Sequence, residues 1–284
     1  MRNSRHVEEI FVKLLMLLAC LIVAGSLVGV VAVMLVKGLP VFTLKMLTHA
    51  SLGGSSLGRE GGILNAILGS LCLGVGGTLG ALLLALPIVS FLQRDYGGHT
   101  LLGKLTRLGL DVLWGIPSIV YGAFGFLLML VLGLRASLLA GILVLTLVEL
   151  PIMARAMDEV IRLVPPELKE ASYSLGATRL ETTRRVVWRQ CLPGFITALL
   201  LAFGRGIGDA ASVLFTAGYS EYLPSSLLEP VASLPIAVYQ QYLSPFPEVQ
   251  QRAYASATML LFIVLAVSII SRIFAARFAR HVVR

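Results

Sequence analysis

Long apolar runs without charged residues constrain this sequence most strongly. Residues 14–36, for example, are 23 consecutive positions without a charged side chain. An α-helix rises about 1.5 Å per residue, so about 20 apolar residues cross the roughly 30 Å hydrocarbon core of a bilayer. Runs of about this length or longer lie at 14–36, 63–92, 112–134, 136–154, 190–218 and 253–271. The sequence therefore predicts an all-α polytopic membrane protein with six transmembrane helices, folded as one membrane domain over residues 1–284.

The composition supports a membrane protein and excludes several other classes. Hydrophobic residues make up 57% of the chain and charged residues 13%, which leaves no stretch for a large water-soluble domain. The net charge of +8 is divided between the apolar runs, which argues against a nucleic-acid-binding surface. Cys20, Cys72 and Cys191 show neither disulfide nor metal-ligand spacing. The first run exceeds the apolar core of a signal peptide and is interpreted as a retained span.

The distribution of basic residues predicts the orientation in the membrane. With a cytoplasmic N-terminus, 17 lysines and arginines lie on the cytoplasmic side and 5 on the outside. Because cytoplasmic loops carry an excess of Lys and Arg, both termini are predicted to be cytoplasmic. The segment 155–189 is then the longest cytoplasmic loop. The external segments 37–62 and 219–252 are rich in Gly, Ser and Pro, and prolines in the second should prevent a long helix.

The cytoplasmic segment 155–189 is predicted to form two short helices at an angle. Pro165 and Pro166 suit a first helical turn, and Gly176 suits a C-terminal cap. The second helix, at 179–189, is basic and is expected to lie on the anionic inner surface of the membrane. In the first helix we expect an apolar face and a water-exposed face. The apolar face comprises Leu168, Ala171, Ser172 and Leu175, and the exposed face comprises Glu167, Lys169 and Glu170.

The same segment carries a recognisable short motif. Glu170-Ala171-Ser172, followed by Gly176, resembles the Glu-Ala-Ala-x-x-x-Gly signature of ABC-importer permeases, with serine at the third position. Trp188-Arg189 stands where the signature continues with Leu-Pro. In that family the loop forms a coupling helix that sits in a groove of the ATPase subunit. The resemblance therefore implies an ATPase-coupling role for Pro166, Glu170, Ala171, Ser172, Leu175, Gly176 and Ala177. The alternative is an ordinary amphipathic helix on the membrane surface.

Charged residues inside the predicted spans are candidates for function. Arg205 and Asp209 in span five are four residues apart on one helical face, so they can form an ion pair. An unpaired arginine there would cost at least about 2.5 kcal/mol. The glycines at 204, 206 and 208 let a helix or a substrate approach the backbone. Two interpretations stay open: a structural lock between helices, or a guanidinium contact to a tetrahedral oxyanion in the translocation path.

Glu149, next to Pro151 in span four, is the other intramembrane charge. It is interpreted as a partner of Arg205 or as a polar wall of the cavity, and the alternative is a direct contact to the substrate.

Motifs outside the loop are similar to those of the permeases of phosphate importers. They are Pro117-Ser-Ile-Val-Tyr-Gly122, Leu150-Pro-Ile with Arg155, Cys191-Leu-Pro-Gly194, Arg205 to Phe215-Thr-Ala-Gly218, and Ser233-Leu-Pro-Ile with Tyr239. The resemblance covers most of residues 63–272. It implies a type I ABC-importer permease fold in the bacterial inner membrane, with Arg205, Asp209 and Glu149 in a phosphate path. Relatives usually carry Glu at position 209, so Asp209 reaches less far.

The resemblance also implies partners. These are a second homologous permease subunit (PstC-like), a dimeric cytoplasmic ATPase (PstB-like) and an extracytoplasmic phosphate-binding protein (PstS-like), with lipid around the spans. ATP and Mg are expected on the ATPase, since this sequence has no Gly-x-x-x-x-Gly-Lys-Ser/Thr loop. We expect this chain to bind no cofactor of its own.

Three alternative functions are considered. Ser118 or Ser212 could be nucleophiles of an intramembrane enzyme, but all four histidines lie outside the spans, which disfavours a buried Ser–His dyad. A stand-alone channel would not need a loop that engages an ATPase. A permease for another oxyanion, such as molybdate, sulfate or phosphonate, is the runner-up to phosphate, because one arginine suits them all.

Overall fold

The computed structural model describes residues 2–51 and 61–278. Within these residues the chain forms eleven α-helices and no β-strand, which confirms the predicted all-α class. The helices are α1 (Arg2–Gly38), α2 (Leu44–Thr48), α3 (Leu64–Phe91), α4 (Leu101–Gly115), α5 (Ser118–Leu132), α6 (Leu138–Arg162), α7 (Pro166–Ser174), α8 (Arg179–Thr182), α9 (Trp188–Ile207), α10 (Leu234–Tyr242) and α11 (Pro247–Phe278). A π-helical turn, Thr183–Val187, joins α8 to α9. Arg59, Arg280, His281 and Arg284 lie outside the described residues.

Five described helical segments are long and apolar enough to cross a bilayer. They are Glu8–Val41, Leu64–Phe91, Leu138–Arg162, Arg179–Ile207 and Pro247–Phe274. The predicted spans 14–36, 63–92, 136–154 and 253–271 are found in them, but most of these helices are longer than predicted. α6, for example, continues past residue 154, because Arg155 pairs with Asp111 and Asp158 pairs with Arg107, both from α4. Charges with partners do not end the helix.

The predicted third span, 112–134, is wrong in its boundaries. α4 and α5 meet at an angle of 100°, so this part of the chain is a bent pair of helices. The break lies at Ile116 and Pro117, and Ile116 is extended, with φ −75° and ψ 128°. A residue before proline is forced out of the helical conformation, which explains the corner. α4 begins earlier than predicted, at Leu101, where the Thr100 hydroxyl caps it by accepting the Gly103 N–H at 3.1 Å.

The predicted fifth span, 190–218, and the separate basic helix at 179–189 are also wrong. One helical segment, Arg179–Ile207, contains α8, the π turn and α9, so the basic residues form the start of the span. α9 ends at Ile207, and residues 208–232 form turns and irregular backbone. Beyond the helix, the Asp209 carboxylate accepts the Ser212 N–H at 3.1 Å. Such local side-chain bonds compete with helical ones, and the neighbouring glycines favour helix weakly.

α3, α6 and α9 form the centre of the bundle. Their contacts are made by small or flexible side chains, such as the fully buried Ala85, Met153, Met157 and Ala202. Small residues let helices approach closely. α1 is peripheral, and its last residue, Gly38, lies against Thr258 of α11. The outward faces of the helices carry many exposed leucines and valines, as expected for a chain surrounded by lipid or other membrane subunits.

The bundle has two distinct ends. At one end, α7 lies beside the segment 92–100 that follows α3, and we refer to this as the α7 end. At the other end, the Leu234 N–H of α10 donates to Ser70 Oγ in α3 at 2.7 Å, and we refer to this as the α10 end. The segment 219–252 was predicted to contain no long helix. Its only complete helix among the described residues is α10, which has nine residues, and the long helix α11 begins at Pro247.

Candidate functional site

The side chain of Glu149 lies where α3, α6 and α9 meet, and it is fully buried. Its Oε2 accepts a hydrogen bond from Thr78 Oγ1 of α3 at 2.7 Å. Its Oε1 has no hydrogen-bond partner among the described residues and lies against the backbone of Gly206 in α9. A methyl group at Gly206 would overlap this oxygen. Glu149 therefore joins three central helices through one hydroxyl group and one glycine.

Arg205 and Asp209 form the ion pair that their spacing predicts. Arg205 Nη1 lies 2.9 Å from Asp209 Oδ2, and the other Asp209 oxygen accepts the Ser212 N–H. The Asp209 side chain is 2% exposed, whereas that of Arg205 is 46% exposed. A buried carboxylate therefore holds one nitrogen of the guanidinium, while almost half of the Arg205 side chain is exposed at the surface of the bundle. A guanidinium has five N–H donors, so donors remain for another partner. This arrangement can present a cation to an anion within the membrane.

Glu149 is not the ion-pair partner of Arg205; its hydrogen bond is with Thr78. The two residues are nevertheless close along α9, because Gly206 contacts Glu149 and the next residue before it, Arg205, is exposed. The prediction that Glu149 forms a polar wall or contacts substrate remains a prediction.

Two contributors to this region were missed by the sequence analysis. Thr78 was not selected, since a lone threonine in an apolar helix is common; the available signal was its position after Gly76 and Gly77. Gly122 was named only as the last residue of the Pro117–Gly122 motif, and no packing role was predicted for it. A methyl group there would lie 2.7 Å from the Ala211 carbonyl oxygen and 2.9 Å from that of Ser212. α5 therefore packs directly on the irregular segment that contains Asp209.

The segment from α7 to α8, residues 166–182, forms a tight corner that we call the α7–α8 corner. Gly176 has φ +80°, the left-handed conformation predicted for a helix cap. Its N–H donates to the Tyr173 carbonyl at 2.9 Å, and the Ala177 N–H donates to that of Ser172 at 3.2 Å. The Ser172 and Thr182 hydroxyls are 2.9 Å apart, which closes the corner.

The two faces of α7 differ from the prediction. Leu168 packs on the bundle core, as expected, but Ala171 and Leu175 point outwards, and Leu175 is 89% exposed. Lys169 was expected to face water; instead it forms an ion pair with Asp95 at 3.1 Å. The reason is that the loop after α3 reaches α7 in the folded chain. Pro166 begins α7, and Glu170 is exposed beside Ala171.

A cleft of about 540 Å³ lies between α7 and the segment 92–100. Basic and acidic side chains alternate around it, including Arg107, Asp158 and Arg162. Tyr173 also lines the cleft; burial, followed by the negative charge of Asp95, raises the pKa of its hydroxyl.

Comparison with known protein families shows which family this chain belongs to. A family model described as "Binding-protein-dependent transport system inner membrane component" matches residues 85–284. The chain belongs to this family. The matched region contains Glu149, the α7–α8 corner and the Arg205–Asp209 pair. Membership, together with several apolar helices, makes the chain a multi-pass protein of the bacterial inner membrane, as predicted.

Relatives in this family share most of the chain. The phosphate transport system permease protein PstA of Pasteurella multocida is 32% identical over 272 residues, which are 95% of this chain and 96% of that protein. The protein of the same name from Haemophilus influenzae is 32% identical over 241 residues, 85% of this chain and 84% of that protein. The Mycobacterium leprae PstA is 33% identical over 257 residues, with coverages of 89% and 84%.

Solved structures confirm the fold. The inward-facing MetNI methionine ABC transporter has a TM-score of 0.63 at 19% identity, covering 78% of this chain and 96% of that one. An amino acid ABC transporter determined with histidines has a TM-score of 0.59 at 18% identity, with coverages of 76% and 93%. The family member described here therefore has the predicted ABC-importer permease fold. Its relatives are named as permeases, in agreement with a transporter subunit rather than an enzyme.

Proposed function

We propose that this chain is a permease subunit of an ATP-driven importer of inorganic phosphate. The observation that carries the proposal is the 32% identity, over 95% of the chain, to a protein named phosphate transport system permease protein PstA. The geometry supports an anionic substrate, because Arg205 is held by a buried carboxylate and its side chain is 46% exposed. A guanidinium binds two oxygens of a tetrahedral oxyanion at once.

The chain acts in this proposal together with several partners. A second homologous permease (PstC-like) covers the surface on which Arg205 is exposed, and an extracytoplasmic phosphate-binding protein (PstS-like) delivers the anion. A dimeric ATPase (PstB-like), which binds ATP and Mg, receives α7. In support, the α7 end exposes large apolar side chains outside the bundle, those of Leu163, Leu175 and Leu180. Such an apolar surface beside charged residues fits a protein partner.

The α7 end is the cytoplasmic end in this proposal. The basic residues at the start of span five, Arg179, Arg184, Arg185 and Arg189, lie at that end, and cytoplasmic segments carry such an excess. The α10 end then faces the outside and meets the binding protein.

Uptake of labelled phosphate tests the proposed function. Cells that lack the chain should lose high-affinity phosphate uptake and regain it when the chain is restored. The complex purified through this chain should contain a protein that hydrolyses ATP. If sulfate or molybdate uptake were lost and phosphate uptake were unchanged, the proposed substrate would be wrong. Absence of an ATP-hydrolysing partner would instead favour a channel.

A substitution at Gly176 tests the role of the α7–α8 corner. Valine there has open space around its Cβ but is strained at φ +80°, at a cost of roughly 1–2 kcal/mol. We expect Gly176→Val to lower the phosphate moved per ATP hydrolysed, because the corner no longer moves as one body. Gly176→Asn should retain function, since asparagine tolerates this conformation.

Gly133 provides the matched control. It also has open space and a left-handed φ of +66°, but it joins α5 to α6 at the α10 end. Gly133→Val should lose similar stability in a thermal unfolding measurement and keep normal coupling. Equal loss of coupling in both variants would count against a special role of the corner.

A further inference from the structure

The loop between α3 and α4, residues 92–100, is fastened to both arms of the α7–α8 corner. Asp95 Oδ2 lies 3.1 Å from Lys169 Nζ of α7. The carbonyl oxygen of Asp95 accepts a hydrogen bond from Arg179 Nη1 of α8 at 2.9 Å. The Tyr96 and Thr183 hydroxyls are 3.3 Å apart. A single residue, Asp95, thus holds the chain on both sides of the turn at Gly176.

The same loop is fastened to the bundle by Arg107 of α4. The Arg107 guanidinium donates to the carbonyl oxygens of Leu92 at 2.6 Å and Gly98 at 2.9 Å. Its Nε lies 3.3 Å from Asp158 Oδ2 of α6. Within the loop, the Gly98 N–H donates to the Gln93 carbonyl at 3.0 Å. The loop is therefore compact and connects the corner to α4 and α6.

The position of Lys169 is unfavourable without this contact. It lies in the first turns of α7, where the helix dipole disfavours a positive charge. The ion pair is partly buried, with the Lys169 side chain 16% exposed and that of Asp95 25% exposed. The cleft of about 540 Å³ leaves space between α7 and the loop, so polar bridges rather than close packing connect them there.

We propose that Lys169 and Asp95 form a second connection of the corner to the spans, in addition to the direct one from α8 into α9. When the partner ATPase displaces α7, the Asp95 contacts carry the movement into the α3–α4 loop, and Arg107 passes it to α4 and α6. Lys169 and Asp95 are positioning residues and touch no substrate. This inference rests on the proposed function, because it requires an ATPase that engages α7.

Charge reversal in the assembled transporter tests this connection. Asp95→Lys and Lys169→Asp should each lower the substrate moved per ATP hydrolysed by about fivefold, within the range measured for residues that modulate coupling. The double variant with both reversals should recover most of that ratio. The matched control is the ion pair of Glu9 and Lys13 in α1, 2.9 Å apart and exposed; its reversal should leave the ratio unchanged.

A cysteine pair provides a second test that does not depend on reversed charges. The variant carries Asp95→Cys and Lys169→Cys in a chain whose native cysteines, Cys20, Cys72 and Cys191, are replaced by serine. Without a crosslinker it should move less substrate per ATP hydrolysed than the unsubstituted chain. A bifunctional maleimide about as long as a lysine side chain should link the two cysteines and restore the amount of substrate moved per ATP hydrolysed. Normal ratios in the single reversals and in the unlinked cysteine pair would overturn the proposal, as would an equal loss in the α1 control.

This outcome is distinguishable from a failure of the proposed function. The ratio can be measured with whichever anion the complex transports, so a wrong substrate leaves the test intact. If the unsubstituted chain recruits no ATPase, the proposed function and this inference fail together. If the unsubstituted complex couples normally and the reversals do too, only this inference fails.

Discussion

Arg205→Ala should reduce phosphate uptake about tenfold or more. Truncating one partner of a buried charge pair costs about 2–5 kcal/mol, and this pair is buried only on its carboxylate side, which lowers the cost. Two effects contribute to this loss. The variant removes the exposed cation, and it leaves the Asp209 carboxylate, 2% exposed, without its partner. Uptake of labelled phosphate and thermal unfolding of the purified complex measure the two effects separately.

A second substitution separates substrate binding from a structural lock. In Arg205→Ala with Asp209→Asn, the unpaired buried charge is gone and the Ser212 N–H keeps an acceptor. We expect the stability of the complex to recover while phosphate uptake stays low, as a direct contact to the anion requires. Recovery of uptake together with stability would show that Arg205 only locks Asp209. Arg205→Lys should restore uptake partially, since lysine keeps the charge but not the two-pronged geometry.

Gly206→Ala should destabilise the bundle, although alanine normally favours a helix. The added methyl group would overlap Glu149 Oε1, and a fully buried carboxyl group between three helices has little room to move. Overpacking of this kind typically costs about 1–3 kcal/mol. Thermal unfolding of the purified chain in detergent should show a lower midpoint, and transport should fall because α9 carries Arg205.

Gly204 is the matched control on the same helix, with nothing within 4 Å of an added Cβ. Gly204→Ala should be neutral or stabilising by up to about 1 kcal/mol, as for glycine replacement in an open helix position. Combining Gly206→Ala with Glu149→Ala should relieve the overlap and raise the unfolding midpoint again. Equal midpoints for the two single alanine variants would contradict the contact between Gly206 and Glu149.

Features that depend on residues close in sequence were predicted well. The Arg205–Asp209 pair follows from a spacing of four residues, and it forms even though Asp209 lies beyond the end of α9. The left-handed cap at Gly176 follows from a glycine after a short helix. Boundaries were less accurate, because hydrophobicity does not report backbone direction. The runs 112–134 and 190–218 are apolar throughout most of their length, but one contains a corner and the other a helix end.

Contacts between residues far apart in the chain could not be predicted. One prediction made Glu149 a partner of Arg205, but its hydrogen bond is with Thr78, 71 residues away. Lys169 was placed in water, but it meets Asp95, 74 residues away.

The sequence by itself determined an all-α membrane bundle, the location of its intramembrane charges and the sharp corner after α7. Hydrophobic length, charge position and glycine at a left-handed site are local properties, and they act before any helix meets another. Only the tertiary structure decided which faces of α3, α6, α7 and α9 meet. Helix rotation and close packing select those partners, and a side chain carries no local signal of the residue that will lie opposite it.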